Sequence, residues 1–176
     1  ERLITDYSQM LKDEVALSKE KMKKINIKVI VKSVVDDFNN IYETKRGIQI
    51  IFKDSDIKEE YFIYGIENRI EQIIANLLDN SISFSEDNKN IVVETFKDEA
   101  NKVILKVIDE GKGFKEKNTK KIFNRFYSNR PDSFGKHSGL GLNIVKNLVE
   151  LHGATISASN NTTQKGANIE IAFPKY

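Results

Sequence analysis

Residues 69–84 read RIEQIIANLLDNSISF. Ile73, Ile74, Leu77 and Leu78 recur at helical spacing, and the run predicts a helix over about 67–84 with one face in a core. Asn76 and Asn80 stand four apart, so both amides project from the same side of that helix. Asparagine is a middling helix former with a polar amide. Two of them beside an apolar stripe suit a face turned toward a ligand. An amide oxygen is a hard donor that fits Mg²⁺, an ion that keeps several waters and shares the phosphate oxygens of its nucleotide. Two solvated asparagines would leave the same pattern, so the pair does not decide the matter alone.

Working outward, IVVETFK (91–97) and KVILKVID (102–109) alternate well enough to predict two antiparallel strands. The second runs into DEGKG, residues 109–113. An aspartate ending an apolar strand caps a turn through its own carboxylate. It equally suits accepting a hydrogen bond from an exocyclic amine, with Gly111 and Gly113 opening room for a flat base. Further on, residues 135–145 read GKHSGLGLNIV. Gly139 and Gly141 sit where a helix over about 140–152 begins, although each costs roughly 1 kcal/mol relative to alanine inside a helix. With Ser138 just ahead, the bare main chain offers N–H donors and a helix dipole to an anion. Neither the phosphate loop GxxxxGK[ST] nor the dinucleotide fingerprint GxGxxG occurs. Asp109 lies 29 residues after Asn80 (109 − 80) and Gly139 lies 30 after Asp109 (139 − 109). A helix with paired Asn, a strand ending in DxGxG and a glycine-led helix thus form one ordered constellation.

The remaining segments frame it. Residues 1–24 carry a helical stripe (Leu3, Ile4, Tyr7, Met10, Leu11, Val15) with charges elsewhere, an arm that wants a partner helix. A second helix is predicted over 27–46, stopped by Gly47. QIIFK (49–53) and EYFIYGI (60–66) read as strands, TKKIFNRF (119–126) as a short helix, and SNRPDSFGKHS (128–138) as a loop. ATISASN and ANIEIAF close the chain as two more strands. The sum is an α/β two-layer arrangement: a mixed sheet with helices on one face, preceded by a helical arm.

Composition narrows the function. The 176 residues carry a net charge of +2, too little to argue for nucleic acid, and no cysteine, which excludes disulfides and thiolate zinc sites. The two histidines, His137 and His152, have no metal-ligand spacing. No apolar run approaches the roughly 20 residues of a membrane span, and no signal peptide opens the chain. ERLITDYSQM reads like the middle of a helix. The expectation is a cytoplasmic portion of a longer protein.

From about residue 65 to 173 the chain resembles the ATP-binding catalytic domain of sensor histidine kinases, within the GHKL superfamily. RIEQIIANLLDNS matches the family's N box, DEGKG its G1 box, KIFNRFY its F box and SGLGL its G2 box. NSISFS with FYSNRPDSFGKHSGLGL further resembles an alphaproteobacterial subgroup of membrane sensor kinases of the ChvG type. The resemblance implies a nucleotide held between helices and sheet under a lid at about 124–138, anchored by Phe123 and Phe126. It makes Asn80 the Mg²⁺ ligand, with Asn76 at the phosphates and Phe84 beside the nucleotide. Asp109 takes the adenine amine, and Gly111 and Gly113 shape the base pocket. Ser138, Gly139, Leu140, Gly141 and Leu142 supply phosphate contacts. Many members carry a lysine where this chain has Ser83, so Lys136, Arg125 or Arg130 is left to neutralise phosphate.

The implied reaction is γ-phosphoryl transfer from Mg·ATP to a histidine, then to an aspartate of a response regulator receiver domain. No H box is present, His137 falls in the lid, and His152 beside Gly153 reads as a cap on the last helix carbonyls. Residues 1–24 then resemble the second helix of a dimerisation hairpin and 25–176 the catalytic domain. The expectation is a chain that binds nucleotide without phosphorylating itself, part of an intact homodimer anchored in the inner membrane. Two other readings stay open: a GHKL-type ATPase or clamp, and a nucleotide-free scaffold.

Overall fold

The computed structural model describes residues 21–115, 118–124 and 141–176. Its elements are β1 (Lys23–Asn26), α1 (Ile27–Arg46), β2 (Gln49–Asp54), β3 (Phe62–Gly65), α2 (Glu67–Phe84), β4 (Asn90–Lys97), β5 (Val103–Ile108), a 3₁₀ turn (Thr119–Phe123), α3 (Gly141–Leu151), β6 (Thr155–Asn160) and β7 (Ala167–Phe173).

Five strands form one mixed sheet in the order β2-β4-β5-β7-β6. β2 runs parallel to β4, and the other neighbours are antiparallel. Alternation, cleanest along β4 and β7, makes the sheet two-faced. Ile91, Val93, Leu105, Val107, Ile169 and Ile171 are buried with the apolar stripes of α1, α2 and α3 in one core. On the opposite face, one cross-strand row reads Lys53, Glu94, Lys106, Glu170, alternating in sign across four strands. The edge strand β2 is partly closed by α1: the Asn39 carboxamide accepts from the Ile50 N–H at 2.8 Å and donates to its carbonyl at 2.9 Å. That contact blunts an edge otherwise open to strand addition.

Three expectations need correction. The stretch around EYFIYGI stands outside the large sheet, pairing with β1 as a separate two-stranded ribbon. β1 was not expected at all: Lys23 and Lys24, assigned above to the helical arm, are extended and hydrogen-bond to β3. The rest of the arm, residues 1–20, lies outside the described residues. Of the short helix expected over 119–126, Thr119–Phe123 form a 3₁₀ turn, opened by the Asn118 side chain accepting from the Lys120 N–H, and residues 125 and 126 lie outside the described residues.

A candidate nucleotide site

Helix α2 carries the paired asparagines as predicted. Asn80 is buried, and Asn76, half-buried one turn earlier, makes no side-chain hydrogen bond to the described residues. Phe84, half-buried, ends the helix one turn beyond Asn80, roughly 6 Å along the axis. Ser83 is only 3% exposed, and its hydroxyl donates to the Asp79 carbonyl at 2.8 Å. The position where the family resemblance led to a lysine is therefore turned into the helix's own backbone.

Asp109 follows β5 directly and is 4% exposed. Its Oδ1 accepts from the Gly111 N–H at 2.9 Å and the Ala167 N–H at 3.0 Å. Among the described residues its Oδ2 has no hydrogen-bond partner. Burial pushes the carboxyl above its ordinary 3.8, and the two main-chain N–H groups pull back only part of that rise. The result is a desolvated carboxylate with one oxygen fixed and the other left for a donor.

The turn after Asp109 closes against α2. A Cβ at Gly111 would stand 2.5 Å from the Phe84 carbonyl oxygen, so glycine there lets the turn seat on the end of the helix that carries Asn80. The space that Gly111 and Gly113 leave is thus filled by protein atoms, the Phe84 carbonyl and Asn160 Oδ1, and is not open room for a flat base. Gly141 opens α3, which packs beside α2. Leu142 turns its side chain into the core, leaving main chain alone for a ligand. The Asn143 side chain donates to the Phe123 carbonyl at 3.0 Å, tying α3 to the 3₁₀ turn, and Phe123 itself is core. Phe126, Lys136, Ser138, Gly139 and Leu140, with Arg125, Arg130 and His137, lie outside the described residues.

Three features escaped the sequence reading. Asn160 and Asn161 bond the two ends of the 109–114 turn. Ala167 brackets Asp109 from β7, donating to its carboxylate and accepting from its N–H at 3.0 Å. Arg46, ending α1, donates to the Ile82 and Ser85 carbonyls at 2.8 and 2.6 Å. A signal existed for the first two in the polar run NNTTQKGAN between two predicted strands. His152 behaves as a cap, as expected: its Nδ1 bonds the Leu148 carbonyl at 2.7 Å, while its Nε2 accepts from the Ile66 N–H at 3.1 Å.

These elements, with helices over one face of a mixed sheet and a buried carboxylate beside an asparagine helix, define an ATP-binding module. Residues 65–176 match the model of the family described as histidine kinase-, DNA gyrase B-, and HSP90-like ATPase. The chain belongs to that family, as the catalytic ATP-binding domain of a sensor histidine kinase. It is similar to sensor protein ChvG of Agrobacterium fabrum, 30% identical over 99% of this chain and 31% of the relative. ChvG of Rhizobium meliloti is 33% identical over 94% and 30%. The chain therefore spans about a third of the length of these relatives. The solved catalytic domain of histidine kinase ThkA superposes with a TM-score of 0.75 at 25% identity, covering 88% of this chain and 96% of that one. ThkA has also been solved in complex with the response regulator protein TrrA, where the match covers 99% of this chain and 49% of that one, with a TM-score of 0.71 and 22% identity.

Proposed function

We propose that this chain binds Mg·ATP and presents its γ-phosphoryl group to a histidine elsewhere in a two-component kinase, from which an aspartate of a response regulator receives it. The observation that carries the reading is Asp109, whose free Oδ2 is a desolvated acceptor suited to an exocyclic amine such as that of adenine. Gly111 and Gly113 shape the turn under the base, and Phe84 flanks it. Asn80 and Asn76 face the phosphates one turn back along α2. Ser138, Gly139, Leu140 and Gly141 contribute main-chain and hydroxyl contacts, Phe126 anchors the lid, and Lys136 supplies charge.

Among the described residues no three His, Cys, Asp or Glu side chains group as a metal site. An Mg²⁺ here relies on the Asn80 amide oxygen and on phosphate oxygens, which its hardness favours. When bound, the ion neutralises phosphate charge. The chain's own part is positioning, which is most of what phosphoryl transfer asks of a protein. The acceptor is not His152, which is 5% exposed with both ring nitrogens engaged. Support for the partner comes from the ThkA complex with its regulator. In this reading the intact protein is a homodimer joined by a helical hairpin to which the residues preceding β1 belong, anchored in the inner membrane with this portion in the cytoplasm.

Titration calorimetry tests it. ADP with Mg²⁺ is expected to bind one-to-one, Asn80→Ala to remove the dependence on Mg²⁺, and labelled ATP to leave no acid-labile label on this chain. Absence of binding heat, or label retained on the chain, overturns the reading.

A further inference from the structure

The turn at residues 109–114 carries all of the base-facing apparatus assigned above except Phe84, yet little of its order is its own. Apart from the Asp109 Oδ1 to Gly111 bond and a long bond from the Asn90 N–H to Glu110 Oε2 at 3.4 Å, its hydrogen bonds come from Ala167 and from two residues at and just beyond the end of β6. At its start, Asn161 Nδ2 donates to the Asp109 carbonyl at 3.0 Å. At its far end, Asn160 Oδ1 accepts from the Phe114 N–H at 2.6 Å, and Asn160 Nδ2 donates to the Phe114 carbonyl at 3.1 Å. Two consecutive carboxamides thus grip both ends of one turn. Their own loop is closed by the Asn161 N–H on the Gly166 carbonyl at 2.9 Å.

The backbone is cut to permit this grip. Gly166 adopts φ +141°, and a Cβ there would lie 1.9 Å from the Asp109 carbonyl oxygen. Gly113 adopts φ +79°, and a Cβ there would lie 2.7 Å from Asn160 Oδ1. Both are conformations and approaches that a side chain forbids. The cost of two such glycines is recovered only if the two segments must meet this closely.

We propose that Asn160 and Asn161 are positioning residues for the base site: they aim the Asp109 carboxylate and thereby set discrimination for a base bearing an exocyclic amine. The proposal rests on the nucleotide reading above. Neither amide touches the base. Each acts through the main chain of the turn, and the geometry of Asp109 Oδ2 follows from where that main chain is held. A hydrogen-bonding site loses its selectivity when its acceptor is misaimed by a fraction of an ångström, because the correct ligand then gains no more than the incorrect one.

The test compares ADP with IDP, whose base carries a carbonyl in place of the amine, on the 176-residue chain and its variants. The unmodified chain is expected to prefer ADP by about tenfold or more, the worth of one well-made hydrogen bond. Asn160→Ala and Asn161→Ala are expected to weaken ADP by about tenfold while IDP changes by less than about twofold, bringing the ratio near one. Should an alanine variant fail to fold, the near-isosteric Asn161→Leu removes the donor to Asp109 and gives the same comparison. Equal weakening of both nucleotides would mean a merely structural role and overturn the proposal, as would an unchanged ratio. Absence of ADP binding by the unmodified chain would instead bring down the nucleotide reading, and this proposal with it.

Discussion

The two ends of α2 are held by residues from two other helices, with opposite chemistry. At the N-terminal end no side chain of the helix caps it, and the Ile66 N–H is received by the lone pair of His152 Nε2 from the end of α3. At the C-terminal end no basic residue occupies the last turn, and Arg46 from the end of α1 reaches across to the Ile82 and Ser85 carbonyls. Each device satisfies orphaned backbone groups, and the cation at the C-terminus also suits the helix dipole. The difference is permanence. A guanidinium keeps its charge at any ordinary pH, whereas an imidazole accepts only while neutral. The helix bearing Asn76 and Asn80 is therefore fixed by a constant clasp at one end and a titratable one at the other.

The largest effect is expected at the constant end. Arg46→Ala leaves the Ser85 carbonyl without a donor among the described residues, takes the second donor from the Ile82 carbonyl, which keeps the Ser85 N–H, and takes the partner from Asp87, bonded at 2.7 Å. It should destabilise the fold by about 3 kcal/mol. The loss should be the same at about pH 8 and about pH 5.5, since guanidinium does not titrate there. Urea unfolding at both pH values measures it. A loss that changes with pH would break the comparison.

At the titratable end the sign runs the other way. Burial lowers the His152 pKa below 6.5, with the Leu148 carbonyl opposing. The folded state thus binds fewer protons than the unfolded one just below that value. The stability His152 contributes is whole above pH 6.5 and is lost as pH falls toward the folded pKa. Protonation would also set an Nε2–H against the Ile66 N–H and a positive charge at a helix N-terminus. His152→Ala is expected to cost about 2 kcal/mol at about pH 8, by leaving a buried donor unpaired. The same variant should flatten the decline of stability below pH 6.5. A decline as steep as that of the unmodified chain would assign the pH effect to other groups.

The legibility of these features in the sequence follows their range. α1 and α2 occupy the predicted 27–46 and 67–84 because period and stop signals such as Gly47 are local. The alternation of β4 and β5 announced their faces and their pairing. What failed to show was whatever another segment decides. KKIN carries no period of its own and becomes β1 only because β3 offers a partner. Arg46 reads as an ordinary last-turn cation of its own helix, and its partners lie 36 and 39 residues away. Asn160 and Asn161 read as a strand end and a turn, and their partners lie 46 and 52 residues back. Asp109 and the asparagine pair were legible as candidates because a polar residue on an apolar element is conspicuous. The order of the boxes, not any one of them, separated those candidates from turns and solvated amides.

Between its two clasped ends, α2 offers the smallest effect and a check on the middle of the helix. Ser83 occupies the place where the family resemblance led to a lysine, yet its hydroxyl is spent on the Asp79 carbonyl. Such a bond back to the preceding turn adds little to a helix, because that carbonyl already has a helical donor. Alanine would lose the bond and gain helix propensity of about 0.5 kcal/mol. Ser83→Ala is therefore expected to shift stability by no more than about 0.5 kcal/mol in either direction. It should leave ADP affinity within about twofold, because a buried hydroxyl bonded to its own helix has no donor to give a phosphate. If calorimetry instead showed a loss of about tenfold, Ser83 would be a ligand contact. The helix would then present its phosphate-facing side one turn nearer Phe84 than the packing of Gly111 implies.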